Sequence, residues 1–348
     1  MYPSSLRPTY GVFVKQTYDW LIEKYDVSLV KITKQNSFLD KLVAYFIFYI
    51  KAVFFGVIKR YDCLYAHFIS HSALPVKIIK VFRPHIIVVG NIHGEDVFSE
   101  FNRFKRNRRF AELFLKQADY IISPSIYFKK KLVTEYGYPD KKIIVSPSGG
   151  VDTDLFLYHD MNTSKRMLKL DTSKKYIGFV SRLEPGKGCD VLLSAFSNLD
   201  DYELLIVGSG RNENSYRRLV HELKIDGRVQ FIPLLPHNQL VYLYNSLDIF
   251  CFPSSSESLG LVGLEAMACE CLCILSDAGG IMSYAVDQKN SLVFQRNNVD
   301  DLFRKMKDII ELKPDMVGKM KKNARITALA FSSEKTRMGF LNFFSGML

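Results

Sequence analysis

The stretch PSSSESLGLVGLEAMAC, residues 253–269, decides the interpretation of this chain. It places two glutamates, Glu257 and Glu265, on either side of Gly260. Glu257 lies among small polar residues and Glu265 among good helix formers, so a helix is predicted to begin near 258–260. The first backbone N–H groups of a helix are unpaired and its dipole is positive there, so an anion can bind between the two carboxylates. A phosphate group beside several hydroxyls, as in a sugar nucleotide, fits this arrangement.

The length and charge of the chain limit what it can be. Its 348 residues are 48% hydrophobic, which is enough for two domains with cores of their own. Residues 1–150 carry 23 Lys and Arg against 12 Asp and Glu, whereas residues 151–348 carry 24 of each, so the whole net charge of +11 lies in the first part. This asymmetry is typical of a protein with a polyanionic partner, either a membrane surface or a nucleic acid. A basic domain without a specific partner is the alternative.

Short β-branched runs alternate with longer helical patterns along the chain. In the first half, strands are predicted over 27–32, 63–67, 85–89, 120–123 and 142–145. In the second half, they are predicted over 176–180, 203–207, 229–232, 249–252 and 272–275. Helices fall between them, for example over 190–198 and 213–223. This alternation predicts an α/β fold of two doubly wound domains, joined by a linker around 151–165.

One segment, LVAYFIFYIKAVFFGVI at 42–58, is apolar except for Lys51. A spanning helix needs about 20 apolar residues, so this run is short for that role. Two interpretations remain open: a helix buried in its domain, or a helix lying in the membrane interface with its lysines among anionic head groups. The basic run 103–109 would extend such a surface, or form a solvated loop.

Two further motifs follow predicted strands. In SRLEPGKG, residues 181–188, Arg182 and Lys187 can bring two cations onto one diphosphate. The spacing is not that of a P-loop. In GNIHGED, residues 90–96, His93 follows a strand, and open α/β sheets bind ligands at the carboxyl ends of their strands. His93 is therefore predicted to hold a sugar hydroxyl or a phosphate, the alternative being a polar surface group.

Three weaker motifs favour structural interpretations. Residues 207–210, VGSG, are predicted to form a strand-to-helix turn because the dinucleotide fingerprint is incomplete. Asp152 and Asp154 resemble a metal-binding pair, but a turn with an Asx cap explains them as well. His67 and His71 share a helix-like spacing without the Glu of a zinc protease, and are predicted to be structural or to face the substrate. No metal site is predicted.

The cysteines point to a reducing compartment. Cys269, Cys271 and Cys273 have no second Cys or His cluster at zinc-like spacing, so they are predicted to be buried thiols. The chain opens without a secretory signal, and a cytoplasmic location is expected.

Together these motifs resemble the large family 4 of retaining glycosyltransferases, which has GT-B architecture: two Rossmann-like doubly wound domains facing a central cleft. The matching segments occur in order along almost the whole chain: YPSSLRPTYGVFVKQ, HGEDV, SPSGGVDTDLF, GFVSRLEPGKG, LLIVGSG, VQFIPLLP, FCFPSSSESLGLVGLEAMAC and DAGG. The resemblance implies an acceptor-binding domain over 1–160 and a donor-binding domain over 161–330. A C-terminal helix over 331–348 is expected to pack back toward the first domain.

The resemblance also implies roles for individual residues. The catalytic residues it implies are Glu257, His93, Arg182 and Lys187. The donor-binding residues it implies are Gly11, Arg182, Lys187, Glu257, Gly260, Leu261, Val262 and Glu265. Glu265 should bind the ribose hydroxyls, and Glu257 and His93 the transferred sugar. The two cations and the amides at 260–262 should neutralise the diphosphate, Gly11 should approach the donor phosphates and the acceptor, and residues 231–234 should lie near the base.

Fixed cations and a helix dipole can stabilise the leaving nucleotide, so neither a metal nor a cofactor beyond the nucleotide-sugar co-substrate is expected. The resemblance and the basic, aromatic first domain together suggest a lipid-linked or polysaccharide acceptor in cell-surface polysaccharide synthesis, such as capsule, lipopolysaccharide O-antigen or exopolysaccharide. We expect a peripheral protein on the inner face of an anionic membrane, with no nucleic-acid partner.

Some positions depart from the family pattern. A hydrophobic strand normally precedes the YP segment, so either Met1 is an internal methionine or the chain is truncated. Leu259, Glu270 and Ser291 replace the usual Phe, Gly and Gly, which leaves the donor sugar open. The missing strand and the altered turns therefore leave one alternative to the transferase, a catalytically inactive nucleotide-sugar-binding or scaffold protein of the same fold. A sugar-nucleotide epimerase is a third option, and the Glu257/Glu265 pair with SRLEPGKG argues against it.

Overall fold

The chain divides into two units, each built on a parallel β-sheet of its own. The computed structural model describes residues 2–3, 11–33, 35, 37–94, 96–98 and 105–348. Unit 1 comprises Met1–Gly149 and Thr336–Leu348, and unit 2 comprises Gly150–Lys335.

Unit 1 carries a four-stranded sheet in the order β1-β2-β3-β4, with every described pair parallel. Its strands are β1 (Cys63–His67), β2 (Ile87–Asn91), β3 (Tyr120–Ser123) and β4 (Ile143–Val145). Its helices are α1 (Val12–Ile22), α2 (Phe38–Ile58), α3 (Ile69–Phe82), α4 (Lys105–Leu115) and α5 (Ile126–Tyr136). The central strands are apolar runs because helices cover both faces of a parallel sheet.

Unit 2 carries a six-stranded parallel sheet in the order β10-β9-β8-β5-β6-β7. Its strands are β5 (Tyr176–Val180), β6 (Glu203–Val207), β7 (Val229–Ile232), β8 (Ile249–Phe252), β9 (Cys273–Ser276) and β10 (Leu292–Phe294). Its helices are α6 (Met161–Met167), α7 (Cys189–Phe196), α8 (Glu213–Glu222), α9 (His237–Ser246), α10 (Leu261–Ala268), α11 (Val299–Ile310) and α12 (Pro314–Ala330). The strand order reverses at β5 and β8, the position at which doubly wound sheets bind ligands.

The boundary between the units differs from the one expected after residue 160. Val151 forms a β-bridge with Ser332, and Phe156 is buried in the core of unit 2. Residues 150–160 therefore belong to unit 2. The last helix, α13 (Ser333–Met347), belongs to unit 1 from Thr336 onward. There Phe340 and Phe344 pack in one cluster with Trp20 of α1.

Most predicted strands are present. Six have the predicted bounds: 63–67, 120–123, 176–180, 203–207, 229–232 and 249–252. Three are shifted by one or two residues, to β2, β4 and β9, and β10 was not predicted. The strand predicted over 27–32 is wrong: the described residues ahead of β1 contain no strand, and this stretch has no ladder partner among them.

Helix α2 contains the apolar segment and is 21 residues long. It is the one helix in the described residues that is long and apolar enough to cross a membrane, judged by length and composition alone. Only 6% of its most apolar 18-residue window is buried, so the interpretation as a buried helix is wrong. Its buried residue, Gly56, packs against Ile79 of α3. Of the basic run 103–109, residues 103–104 lie outside the described residues, and α4 begins at Lys105.

Candidate functional site

Two loops in unit 2 meet at the carboxyl ends of neighbouring strands. Residues 181–188 follow β5 and residues 253–260 follow β8, and these strands pair directly. The backbone N–H of Ser255 donates to the carbonyl of Gly186 across 2.9 Å. Gly188 has a φ of 75°, and a Cβ there would clash with the carbonyl of Pro253. A glycine is therefore required where the two loops pack against each other.

This contact brings together two predicted site residues from opposite loops. Lys187 donates from Nζ to Oε1 of Glu257 across 2.7 Å. Their side chains are 18% and 15% exposed, so solvent screens the pair only in part. The sequence predicted both residues at the site, but it did not predict that they form an ion pair.

Arg182 lies in the same loop as Lys187 and differs from it in exposure. Its side chain is exposed, and within the described ranges its guanidinium forms neither a hydrogen bond nor an ion pair. The loop therefore carries one cation that is already neutralised and one that is free to bind an anion.

The predicted helix start is confirmed at α10. Gly260 is its N-cap, with φ 86° and no capping side chain. The N–H groups of Leu261 and Val262 are the first two of the helix and have no intrahelical acceptor. The hydroxyl of Tyr284 donates to the carbonyl of Gly260 across 3.0 Å and holds this turn in place.

Glu265 lies on the second turn of α10 and is 8% exposed. The hydroxyl of Tyr244, on α9, donates to its Oε2 atom across 3.0 Å. Burial raises the pKa of Glu265, while the charge of His237 and the hydrogen bond from Tyr244 lower it. Sequence reasoning did not find Tyr244, because nothing in the local pattern of α9 shows that it packs on α10.

Other loops at the same edge of the sheet lie around the loops 181–188 and 253–260. The N–H of Gly280, in the DAGG turn, donates to the carbonyl of Glu257 across 2.9 Å. The predicted turn at 207–210 is confirmed, since Ser181 donates from its N–H to Val207 and Leu183 donates to Ser209. Residues 231–234 run from the end of the edge strand β7 into an exposed loop, with Arg217 stacked 4.3 Å over the ring of Phe231.

The predicted site residues of the first half lie in unit 1. His93 follows β2, and its backbone N–H donates to Oδ1 of Asp96 across 2.8 Å. Gly11 has φ 73° and is the N-cap of α1. The segments YPSSLRPTY and HGED are described only in part, because residues 4–10 and 95 lie outside the described residues.

A second histidine contacts His93. Nδ1 of His67 lies 3.0 Å from Nε2 of His93, and the rings are stacked. The helix-like spacing of His67 and His71 is misleading, because His67 ends β1 and His71 lies on α3. The position of His67 at the carboxyl end of a strand is the signal that could have placed it beside His93.

Asp152 caps a turn, and the clustered cysteines are buried. Oδ1 of Asp152 accepts from the N–H groups of Asp154 and Leu155, which is the predicted Asx turn. The described part of the chain contains no group of three or more His, Cys, Asp or Glu side chains able to hold a metal ion. Cys269, Cys271 and Cys273 are buried free thiols, as predicted, and burial raises the pKa of each.

Comparison with known proteins identifies the family. Residues 160–327 match the profile of "Glycosyl transferases group 1", and residues 16–155 match that of "Glycosyltransferase Family 4". The chain belongs to the family 4 glycosyltransferases. Both halves of this glycosyltransferase are covered, in the order that the motifs predicted.

Among curated relatives, the chain is 30% identical over 204 residues to the D-inositol 3-phosphate glycosyltransferase of Mycolicibacterium smegmatis. That match covers 57% of this glycosyltransferase and 46% of the relative. The chain spans about half the length of the curated relatives it matches.

Solved structures share the fold. Alr3699/HepE from Anabaena, in complex with UDP, matches with a TM-score of 0.75 at 21% identity, over 95% of this chain and 89% of that one. Sucrose-phosphate synthase from Thermosynechococcus elongatus matches with a TM-score of 0.74 at 20% identity, over 91% and 82%. This glycosyltransferase therefore has the predicted α/β fold of two Rossmann-like domains, with GT-B enzymes as its structural neighbours.

Proposed function

We propose that this glycosyltransferase moves a sugar from a nucleoside-diphosphate donor to a lipid-linked or polysaccharide acceptor in cell-surface polysaccharide synthesis. The observation that carries the proposal is the cluster at the carboxyl ends of β5 and β8. There Arg182, the pair formed by Lys187 and Glu257, and the start of α10 lie on adjoining loops. The UDP bound to its structural neighbour Alr3699/HepE supports a nucleotide-sugar donor.

The proposed donor site assigns each group a chemical task. Cleavage of a glycosyl–diphosphate bond leaves negative charge on the nucleotide. Arg182, Lys187 and the N–H groups of Leu261 and Val262 would stabilise that charge. Glu265 would accept hydrogen bonds from the ribose hydroxyls through its carboxylate.

We further propose that the transfer retains the anomeric configuration and needs no metal ion. Glu257 is engaged by Lys187, which suits binding of a sugar hydroxyl better than nucleophilic attack. Front-face attack by the acceptor would then replace the covalent intermediate of a two-carboxylate retaining glycosidase. The fixed cations and the helix dipole would supply the charge that a metal supplies elsewhere.

A screen of nucleotide-sugar donors tests this proposal, with anomeric configuration read from the product by NMR and with EDTA as one condition. We expect transfer by the wild type in EDTA, and strong loss in Glu257→Ala and Arg182→Ala. Arg218→Ala, which removes an exposed arginine from α8, is the matched control. Undiminished transfer by both site variants would overturn the site. Nucleotide binding without turnover would indicate the inactive binding protein, and donor conversion without an acceptor an epimerase.

The second part of the proposal concerns an apolar surface on unit 1, which we call the α2–α3 face. It comprises exposed residues of α2 (Phe38, Leu39, Leu42, Val43, Phe46, Ile47, Ile50, Phe54 and Ile58) and of α3 (Leu74, Ile78, Val81 and Phe82). On α3 these positions recur at helical spacing, so they form one stripe. The two helices are held together by packing at Gly56 and by the Tyr49 hydroxyl, which donates to the carbonyl of His71.

Exposed lysines border the α2–α3 face. Lys41, Lys51 and Lys59 lie on or just after α2, and Lys77 lies on α3. Contiguous apolar surface of this extent marks an interaction site in a soluble domain. With a basic border, it suits the head-group region of an anionic membrane, where aromatic side chains insert and lysines stay among phosphates. We propose that unit 1 binds the inner face of the cytoplasmic membrane in this way.

Vesicle flotation tests the membrane proposal. The wild type should float with phosphatidylcholine vesicles that contain phosphatidylglycerol and less with phosphatidylcholine alone, and high salt should weaken the binding. Phe46→Asp/Phe54→Asp should abolish flotation, because both side chains are exposed on the α2–α3 face. Met282→Asp/Ile326→Asp places the same charges on exposed apolar positions of unit 2 and should leave flotation unchanged. A wild type that stays with the unbound protein would overturn the proposal.

A further inference from the structure

Three side chains in unit 1, those of Thr17, His67 and His93, are linked in series by hydrogen bonds. Oγ1 of Thr17, on α1, lies 3.0 Å from Nε2 of His67. On the other side of that ring, Nδ1 of His67 lies 3.0 Å from Nε2 of His93. Both nitrogens of His67 are thus engaged, and His93 retains Nδ1 without a partner in the described part of the chain.

The contacts of Thr17 indicate which atom donates in its hydrogen bond with His67. Its Oγ1 atom lies 3.1 Å from the carbonyl oxygens of both Phe13 and Val14. Carbonyl oxygens only accept, whereas the Tyr65 hydroxyl that also pairs with Thr17 can donate, and this set of partners favours a hydroxyl proton of Thr17 directed toward the carbonyls. Oγ1 is then an acceptor for the third contact, and the proton between Thr17 and His67 belongs to Nε2 of His67.

The position of the proton on His67 determines its position on His93, because both imidazole rings are neutral. Burial, followed by the neighbouring His93, lowers the pKa of His67 well below its ordinary value, and burial lowers the pKa of His93 to about 3. A neutral imidazole carries one N–H and one bare nitrogen. With its proton on Nε2, His67 offers a bare Nδ1 and accepts from Nε2–H of His93. His93 then has no proton on Nδ1.

The ring of His93 is held in this orientation from several sides. The rings of Phe13 and Phe68 lie 4.5 and 4.4 Å from it, measured between centroids. Asp96 accepts from the backbone N–H of His93 through Oδ1 and from that of Ile69 through Oδ2, which ties the loop to the start of α3. The free nitrogen is therefore fixed in direction as well as in protonation.

We propose that Thr17 and His67 are positioning residues that fix His93 as its Nε2–H tautomer, so that Nδ1 accepts a hydrogen bond from a hydroxyl of a sugar substrate. The sugar hydroxyl rests on the proposed function, whereas the tautomer does not. An acceptor at this position selects substrates that carry a hydroxyl there, because a deoxy sugar would leave Nδ1 unpaired.

The first experiment measures the tautomer directly, without activity. Long-range ¹H–¹⁵N NMR of the full chain labelled with ¹⁵N-histidine distinguishes a protonated from a bare ring nitrogen, with His93→Gln and His67→Gln assigning the signals. We expect His93 and His67 both to be protonated on Nε2. Thr17→Val should shift this pattern toward a mixture, and Thr17→Ser should retain it. A wild-type His93 protonated on Nδ1 would overturn the proposal even in an active enzyme.

The second experiment asks whether Thr17 acts through His93. Thr17→Val should lower kcat/KM about tenfold, roughly the effect of one lost hydrogen bond, and Thr17→Ser should restore it. In a His93→Ala background, Thr17→Val should have no further effect. An equal loss in both backgrounds would show that Thr17 acts independently of His93, and would overturn the positioning role. A chain with the expected tautomers but no transfer would refute the proposed function alone.

Discussion

Lys187 donates a hydrogen bond to Glu257 across 2.7 Å, joining two loops whose residues are 70 positions apart. One cation of the proposed diphosphate site is therefore balanced by a carboxylate before any donor binds. A diphosphate must share Lys187 with Glu257 or displace it, whereas Arg182 is available from the start. The two cations should accordingly respond differently to substitution.

We expect Glu257→Gln to separate nucleotide binding from turnover. Loss of the carboxylate leaves Lys187 uncompensated, so affinity for a free nucleoside diphosphate should rise, by up to about tenfold. Turnover should fall by about 100-fold, since the amide cannot replace the charged acceptor that we propose for a sugar hydroxyl. Isothermal titration with nucleoside diphosphates and initial rates with the preferred donor give the two quantities.

Arg182→Ala is the counterpart to that substitution. In the described structure the Arg182 guanidinium pairs with no carboxylate, so its removal leaves no other charge uncompensated. The substitution should therefore weaken nucleotide binding and sugar transfer together. Unchanged nucleoside-diphosphate affinity in Arg182→Ala, or a weaker affinity in Glu257→Gln, would contradict this division of roles.

Tyr244→Phe should reduce the affinity for ribonucleotides by about three- to tenfold, as expected for one lost hydrogen bond to a charged group. Tyr244 donates to Oε2 of the buried Glu265. Without this hydrogen bond, the carboxylate should be held less firmly in the orientation in which we propose that it binds the ribose. The loss should be specific to the sugar hydroxyls. Titration with a ribonucleoside diphosphate and its 2′-deoxy analogue measures the discrimination, which should shrink in Tyr244→Phe. Tyr242→Phe on the same helix is the control and should behave like the wild type.

Much of this fold could be predicted from the sequence because parallel strands are continuous apolar runs separated by helices. Strand order could not be predicted, and the pairing of β5 with β8 is what brings Lys187 to Glu257. The stretch 27–32 has strand composition but lacks a partner among the described residues, and backbone pairing rather than composition defines a strand. The helix-like interval from His67 to His71 carries no structural meaning, because it crosses from the end of a strand into a helix. Contacts between distant elements, such as Tyr244 with Glu265, leave no local pattern at all.

Gly260→Ala should disrupt both the fold of the donor loop and nucleotide binding. Gly260 has φ 86°, and a Cβ there would lie 2.6 Å from Cε1 of Phe252. The left-handed conformation alone costs a non-glycine residue about 1–2 kcal/mol, and relief of the clash adds to this. Urea unfolding of Gly260→Ala should show a free energy of unfolding that is lower than that of the wild type by about 2 kcal/mol or more. Gly318→Ala, inside helix α12 with open space around it, should instead stabilise the protein by about 0.5–1 kcal/mol. Equal effects of the two substitutions would rule out the backbone argument.

Acidification should destabilise the protein through the buried histidines of unit 1. The pKa of His93 is about 3 in the folded protein and 6.5 in its ordinary state. Between these values the unfolded chain binds a proton that the folded chain excludes, so the free energy of unfolding falls as pH drops below 6.5. At pH 5 this amounts to about 2 kcal/mol for His93, at about 1.4 kcal/mol per pH unit.

Urea unfolding at a series of pH values from 5 to 7.5 checks this pH dependence, with the slope reporting the protons taken up on unfolding. His93→Gln should reduce that slope by about one proton, because glutamine does not titrate in this range. His221→Gln is the control: His221 is exposed and lies beside Asp226, so its removal should leave most of the slope in place. Since the described part of unit 1 holds His93 against a second neutral histidine, His67→Gln should likewise flatten the profile. A slope that is the same in the wild type and in His93→Gln would mean that His93 already binds its proton in the folded protein. His67 and His93 would then not be a neutral pair, and Nδ1 of His93 would not be the proposed hydrogen-bond acceptor.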